Sequence, residues 1–284
     1  MIKDFIALLK PRILTMQFVS LSLGYFMAPA TGQPTFFKFL FALLGTAFSS
    51  GGAAALNHAW EWTLDAKMER TQHRPIPMGR ISWQNASLIG AFLCILGVWI
   101  LASKVNYLTA GLAALTVISY VLVYTPLKTR TWLNTYVGAI PGAILPLAGW
   151  AVATQTLSIG AFTLAGILAV WQIPHFFAIA WMYKEDYARG GFKMLPLYDP
   201  NGDRLIRQTW VSSVLLIAVS TLPVFFHLAG PVYFAGSILL GIWFLRLCLD
   251  FSKNRTREMA RKVLKGSVLY LPLLLALMVL DHLF

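Results

Sequence analysis

Charge is scarce in this sequence. Only 12% of its 284 residues are Asp, Glu, Lys or Arg, against 58% hydrophobic. That balance excludes a disordered chain and an ordinary soluble domain, and it suits a bundle of membrane helices. Cysteine is scarcer still. Cys94 and Cys248 both fall inside apolar runs, without metal-ligand spacing, so neither a disulfide framework nor a zinc site is implied. Acidic residues are few, 11 against 23 basic, which leaves a net charge of +12. No low-complexity segment and no separate soluble domain stand out.

What is present is long apolar runs. A membrane-crossing helix needs roughly 20 mostly apolar residues. Nine runs meet that need: Ile13–Ala30, Phe36–Leu56, Ser87–Ala102, Tyr107–Tyr124, Leu133–Ala153, Leu157–Ala180, Thr209–His227, Val232–Leu249 and Val263–Leu283. The first has the charge pattern of a signal peptide, but it is long enough to span and reads as a retained helix. The fold expected is therefore all-α: a polytopic bundle of about nine helices around a central cavity, forming one domain over residues 1–284.

A basic excess can signal nucleic acid, but its placement argues for a topology signal instead. Of the 23 Lys and Arg, 21 lie in the N-terminal tail and alternate connections, and only Lys38 and Lys104 lie in the others. Positive charge stays cytoplasmic. The N-terminus is thus expected inside, with nine spans carrying the C-terminus outside. The partner is the lipid bilayer, with no nucleic acid.

Two polar segments on that face, 57–86 and 181–208, hold seven of the eleven acids. In the first, Asn57, Glu61, Asp65 and Glu69 recur every four residues. On a helix that spacing places neighbours on one face, about 6 Å apart. Like charges so placed repel unless a cation intervenes. Asn and carboxylate oxygens suit Mg²⁺, and Lys67, Arg70 and Arg74 follow at once. Carboxylates for a metal beside cations for an anion is the composition of a metal–diphosphate site. The alternative is a solvated acidic helix end paired with those same bases.

The second segment follows Trp171-Gln172-Ile173-Pro174-His175-Phe176. Gln172 and His175 bring polar groups into an apolar run that Pro174 should kink. His175 reads either as a hydrogen-bonded core histidine or as a ligand facing a cavity. Glu185 and Asp186 offer further carboxylates. Between the segments, Lys128 and Arg130 follow Tyr124-Thr125-Pro126, either as membrane anchors or as diphosphate contacts. Pro141, Gly142 and Pro146 interrupt the fifth run.

Taken together, these stretches resemble the UbiA superfamily of intramembrane prenyltransferases, and within it the branch that farnesylates heme. The resemblance rests on Lys10-Pro11-Arg12, on Asn57-x3-Glu61-x3-Asp65-x2-Met68-x-Arg70-Thr71-x2-Arg74-Pro75, on the stretch from Tyr124 to Trp150, and on Gln172-x-Pro174-His175-Phe176 followed by Asp186-Tyr187 and Met194-Leu195-Pro196. The chain departs from the family pattern in carrying Glu61 where Asp is usual, Lys193 where Pro is common, and only Glu185 and Asp186 as acids in the second motif.

The resemblance implies a magnesium-dependent enzyme of the bacterial cytoplasmic membrane, with its site on the cytoplasmic side. Its substrates would be farnesyl diphosphate and heme B. Asn57, Glu61 and Asp65 would hold one Mg²⁺, and Asp186 with Glu185 a second. Lys67, Arg70, Arg74, Lys128, Arg130 and Arg12 would neutralise the diphosphate. His175, Gln172 and Tyr124 would meet the acceptor, and the faces of Tyr124 and Trp62 would steady an allylic cation. A heme-accepting membrane protein would take the product. The rivals are an aromatic acceptor such as 4-hydroxybenzoate and, from another class, a secondary transporter.

Overall fold

A computed structural model of the chain describes residues 2–29 and 36–281, and the side chains of Ile2 and Arg12 lie outside the described residues. Every regular element among the described residues is helical. They form two compact units, Met1–Ala161 with Glu185–Lys193, and Phe162–Lys184 with Met194–Phe284.

The first unit begins with α1 (Ile2–Leu8), α2 (Pro11–Met27), α3 (Phe36–Asp65) and α4 (Trp83–Lys104). After α5 (Tyr107–Ile118) the helix passes into a π-helical stretch, Ser119–Tyr124, then α6 (Thr125–Leu127) and α7 (Asn134–Thr154). Most of α8 (Ile159–Met182) belongs to the second unit, and most of α9 (Lys184–Gly190) to the first. The second unit continues with α10 (Leu195–Tyr198), α11 (Asp203–Phe225), α12 (Pro231–Lys253) and α13 (Arg257–Asp281).

Among the described residues eight helical stretches are long and apolar enough to cross a membrane, and Ile13–Met27 is a shorter ninth. The expected spans are therefore present, with different ends. The second was expected to stop at Leu56, yet α3 runs on to Asp65. At 1.5 Å per residue its 30 residues reach about 45 Å, well past a hydrocarbon core of about 30 Å. Hydropathy marks where the apolar run stops. The helix continues because its last polar residues are buried in ion pairs. The third span, short in the sequence, is lengthened at both ends to Trp83–Lys104. Ser82 caps it by accepting from Asn85 N at 3.2 Å. The last helix starts six residues early, at Arg257, so Arg257, Arg261 and Lys262 sit on its first turns.

Small residues set the packing of the first unit. A Cβ on Gly52 of α3 would stand 2.5 Å from Gly90 O of α4, and one on Gly97 would stand 2.4 Å from Ser49 N. Backbones this close are what small residues permit in membrane helices. α7 runs without a break through Pro141 and Pro146. In the second unit Ser220 Oγ and Tyr270 Oη lie 2.9 Å apart, and Asp281 caps α12 by accepting from Gly230 N and Tyr233 N.

Candidate active site

The first unit collects three oxygen donors and three cations from four parts of the chain. Asn57, Glu61 and Asp65 lie on the last turns of α3, each at most 3% exposed. On a helix with about 100° per residue they occupy one stripe. Each donor faces one cation. Lys10 Nζ donates to Asn57 Oδ1 at 2.8 Å. Lys128 Nζ lies 2.6 Å from Glu61 Oε1. Arg74 donates to Asp65 Oδ2 at 2.6 Å.

The cations arrive by different local devices. Lys10 sits just before Pro11 in a left-handed conformation, φ 49° and ψ 62°, as the N-cap of α2. A non-glycine residue held there, ahead of proline, is strained and needs surrounding structure to keep it. Its hydrogen bond to Asn57 is one such restraint. Arg74 is carried back by the turns after α3. Thr71 Oγ1 donates to Asp65 O at 2.9 Å, and Arg74 N donates to Thr71 O at 3.0 Å. Lys128 follows the π-helical stretch, a feature frequent at functional sites. There Thr125 Oγ1 donates to Tyr120 O at 2.9 Å and accepts from Asn57 Nδ2 at 3.1 Å. Both ends of the Asn57 amide are thereby oriented.

The electrostatics follow from burial. Burial, reinforced by the charges of Arg74 and Lys128, lowers the Lys10 pKa to about 7. Lys10 is thus poised between its charged and neutral forms near neutral pH, and an added anion would favour the charged form. Burial alone would push Lys128 the same way. The Glu61 carboxylate overrides it and holds the Lys128 pKa above the usual lysine range. Its ammonium also stands 4.9 Å from the Tyr124 ring centre and 5.5 Å from that of Phe192.

A neighbouring cluster surrounds Asp186, which is buried on α9. Its Oδ1 accepts from Glu69 N at 2.9 Å and from Arg189 at 2.5 Å. Partial burial would raise the Asp186 pKa, but the Arg189 guanidinium and the backbone N–H groups of Glu69 and Arg70 bring it below the ordinary value. Arg70 lies 5.9 Å over the Tyr187 ring. Lys193 N donates to Lys128 O at 2.6 Å, which ties this second motif to the turn carrying Lys128.

Of the expected site residues, the structure therefore joins Asn57, Glu61, Asp65, Arg74 and Lys128 directly. Arg70 lies with Asp186 in the second cluster. Lys67, Arg130 and Glu185 are exposed. Trp62 packs against the cluster of Leu8, Ala55 and Ile76. Arg12's side chain lies outside the described residues. Gln172 and His175 belong to the second unit. Gln172 Nε2 donates to Leu168 O at 3.0 Å, and His175 Nδ1 meets Ser267 Oγ at 2.8 Å. α8 is continuous from Ile159 to Met182, through Pro174, where the sequence anticipates a kink.

Sequence reasoning missed two residues of the first cluster. Lys10 was passed over for Arg12, because the sequence carries no signal for the left-handed backbone at Lys10. His58, on the same α3 stripe as Glu61 and Asp65, is 3% exposed, and neither ring nitrogen has a hydrogen-bond partner among the described residues.

Do these residues fit a magnesium ion? Asp65 Oδ1 is buried without a hydrogen-bond partner among the described residues, and it adjoins two further hard oxygen donors. The donor chemistry fits. Among the described residues no three His, Cys, Asp or Glu side chains are already grouped to hold a metal. The carboxylates are instead neutralised one by one, so a metal with an anion would have to exchange with Lys10, Lys128 and Arg74.

Comparison with known proteins places the chain in a family. Residues 18–273 match the model of the UbiA prenyltransferase family. Protoheme IX farnesyltransferases of Solibacter usitatus and Salinibacter ruber are each 44% identical, with 99% of both chains covered. The mitochondrial protoheme IX farnesyltransferase of Arabidopsis thaliana is 37% identical over 89% of this chain and 59% of its own. Among solved structures, a digeranylgeranylglyceryl phosphate synthase superposes with a TM-score of 0.81 at 17% identity, covering 99% of this chain and 98% of that one. A UbiA homologue from Archaeoglobus fulgidus, bound to GPP and Mg²⁺, gives 0.71 at 16% identity, covering 97% and 99%. The family match over residues 18–273 and the full-length relatives at 44% identity show that this chain belongs to the UbiA prenyltransferase family.

Proposed function

We propose that the chain is a protoheme IX farnesyltransferase, converting heme B and farnesyl diphosphate into heme O. The observation that carries the site assignment is the one-to-one pairing of Asn57, Glu61 and Asp65 with Lys10, Lys128 and Arg74. The acceptor assignment rests on the full-length similarity to protoheme IX farnesyltransferases at 44% identity.

Magnesium, when bound at Asn57, Glu61 and Asp65, supplies Lewis-acid stabilisation of the leaving diphosphate. The cations released from those oxygens, Lys10, Lys128 and Arg74, turn to the phosphate oxygens, joined by Arg70 and, further out, Lys67, Arg130 and Arg12. Their charge favours the state in which negative charge has built up on the leaving group. The C1–O bond of the farnesyl chain breaks, and its electron pair leaves with diphosphate. The Tyr124 face lies beside Lys128, where it can steady the allylic cation. The terminal carbon of a heme vinyl group then bonds to farnesyl C1. The positive charge moves to the adjoining vinyl carbon, and water adds there with loss of a proton. Asp186, held by Arg189 and the Glu69 amide, supports a second metal contact together with the exposed Glu185. His175 and Gln172 are assigned to the heme. Both units, residues 1–284, serve this one activity in the cytoplasmic membrane, with the α3 carboxylate end on the cytoplasmic face. A membrane protein that receives heme O follows as the downstream partner.

Incubating the purified protein with Mg²⁺, heme B and farnesyl diphosphate tests the reading. The expected result is a heme heavier by one farnesyl group and one hydroxyl, with diphosphate and a proton released. Absence of that product, with prenylation of 4-hydroxybenzoate instead, overturns the heme assignment.

A further inference from the structure

The second unit contains an arrangement that the diphosphate chemistry does not use. His175 Nδ1 and Ser267 Oγ lie 2.8 Å apart, joining α8 to α13. The same hydroxyl donates to Leu264 O at 2.7 Å. Trp171, one turn before His175, donates its indole N–H to Ser267 O at 2.8 Å. The Trp171 and His175 rings stack, with centres 5.0 Å apart and planes inclined by 26°. Ser267 is fully buried, whereas His175 is half-buried.

The position of the imidazole proton follows from counting donors. A serine hydroxyl has one proton. A backbone carbonyl only accepts, so the contact to Leu264 O uses that proton. With that proton on Leu264 O, Ser267 Oγ accepts from His175 Nδ1–H, the tautomer that leaves the Nε2 lone pair free. Among the described residues Nε2 has no hydrogen-bond partner, and it is not a fully buried atom. A neutral histidine with one N–H tied to a second residue and the other nitrogen open is the state of a metal-ligating histidine. The stacked indole and the shared anchor on Ser267 fix the ring plane.

We propose that Ser267 is a positioning residue for the heme acceptor: it locks His175 in the Nδ1–H tautomer so that Nε2 serves as an axial ligand to the substrate iron. This inference rests on heme being the acceptor. Iron ligation would hold the porphyrin while one of its vinyl groups reacts at the periphery, with no change at the iron and no external reductant.

The test uses the full chain in detergent, titrated with heme B and followed by optical and electron paramagnetic resonance spectra. The native protein is expected to give the signature of histidine-ligated heme, and His175→Ala to lose it. Ser267→Ala is expected to weaken heme affinity about tenfold, within the range for removing the partner of a metal-bound histidine. It should raise KM for heme while leaving KM for farnesyl diphosphate unchanged. Ser267→Thr, which keeps the hydroxyl, should restore both affinity and spectrum. Loss of packing alone would not be reversed by a larger side chain, nor would it confine the change to heme. A native protein that farnesylates heme but shows no histidine ligation, or a Ser267→Ala protein with native spectrum and heme affinity, overturns the inference while leaving the activity standing. A native protein that neither binds nor farnesylates heme overturns the activity itself, and the inference with it.

Discussion

At the scale of single residues, the site is organised by charge neutralisation under burial. Glu61 and Lys128 form an ion pair in which both side chains are nearly inaccessible, 5% and 12% exposed. Removing one partner of such a pair costs about 3–5 kcal/mol, because the other charge is left buried alone. Lys128→Ala should therefore lower the thermal unfolding midpoint in detergent, and adding Glu61→Gln should recover most of the loss. Both variants should be inactive in farnesyl transfer, which separates the stability role of the pair from its chemical role. Lys10 makes the opposite case. Burial already disfavours its charge, so its removal should cost little stability. Its value lies in meeting an anion. Lys10→Ala should raise KM for farnesyl diphosphate about tenfold or more, as expected for losing one hydrogen bond to a charged group. KM for heme should stay unchanged, and initial-rate kinetics with each substrate varied in turn would check both. These residues differ in legibility. The four-residue spacing of Asn57, Glu61 and Asp65 is visible in the chain itself. The inward turn of Lys10 is not, because it depends on a left-handed backbone that only the folded surroundings maintain.

At the scale of elements, close helix packing carries the site. α3 and α4 lie backbone to backbone where Gly52 meets Gly90. A side chain at Gly52 would collide with Gly90 O and Cys94 N. Gly52→Leu should abolish accumulation of folded protein in the membrane. Gly111→Ala, where an added Cβ meets nothing within 4 Å, should leave folding and transfer intact. Comparing detergent-solubilised yield and size-exclusion profiles of the two variants checks this. The same scale explains the misplaced helix ends. Hydropathy sees the fall in apolar content after Leu56, but the α3 hydrogen-bond ladder does not stop there. Its last polar residues are met by Lys10 and Lys128, from distant positions in sequence, and by Arg74, from the turns that follow the helix. The π-helical stretch at Ser119–Tyr124 is likewise hidden in the sequence. Pro126 marks irregularity nearby, yet the change in hydrogen-bond register that precedes Thr125 and Lys128 belongs to the folded chain.

At the scale of the whole molecule, the membrane and the metal set the terms. If charge placement orients the chain, a single cysteine replacing exposed Lys67 or Arg130 should react with an impermeant thiol reagent only from the cytoplasmic side. One replacing Lys104 should react only from the opposite side, with Cys94 and Cys248 buried in both cases. Labelling of intact cells against inverted vesicles gives the answer. If the α3 stripe takes magnesium, chelation with EDTA should abolish transfer, and excess Mg²⁺ should restore it. The all-helical class, the number of spans, the two polar segments and the Asn–Glu–Asp stripe were determined by the sequence alone. They follow from local quantities: run length, charge placement and helical period. The tertiary structure decided which cation meets which donor, that Asp186 accepts from the Glu69 amide, that Lys10 belongs to the site, and that Ser267 meets His175. Most of these contacts join residues far apart in the chain. Their energies arise from removing paired charges and hydrogen-bonding groups from solvent together, which no stretch of sequence read by itself can express.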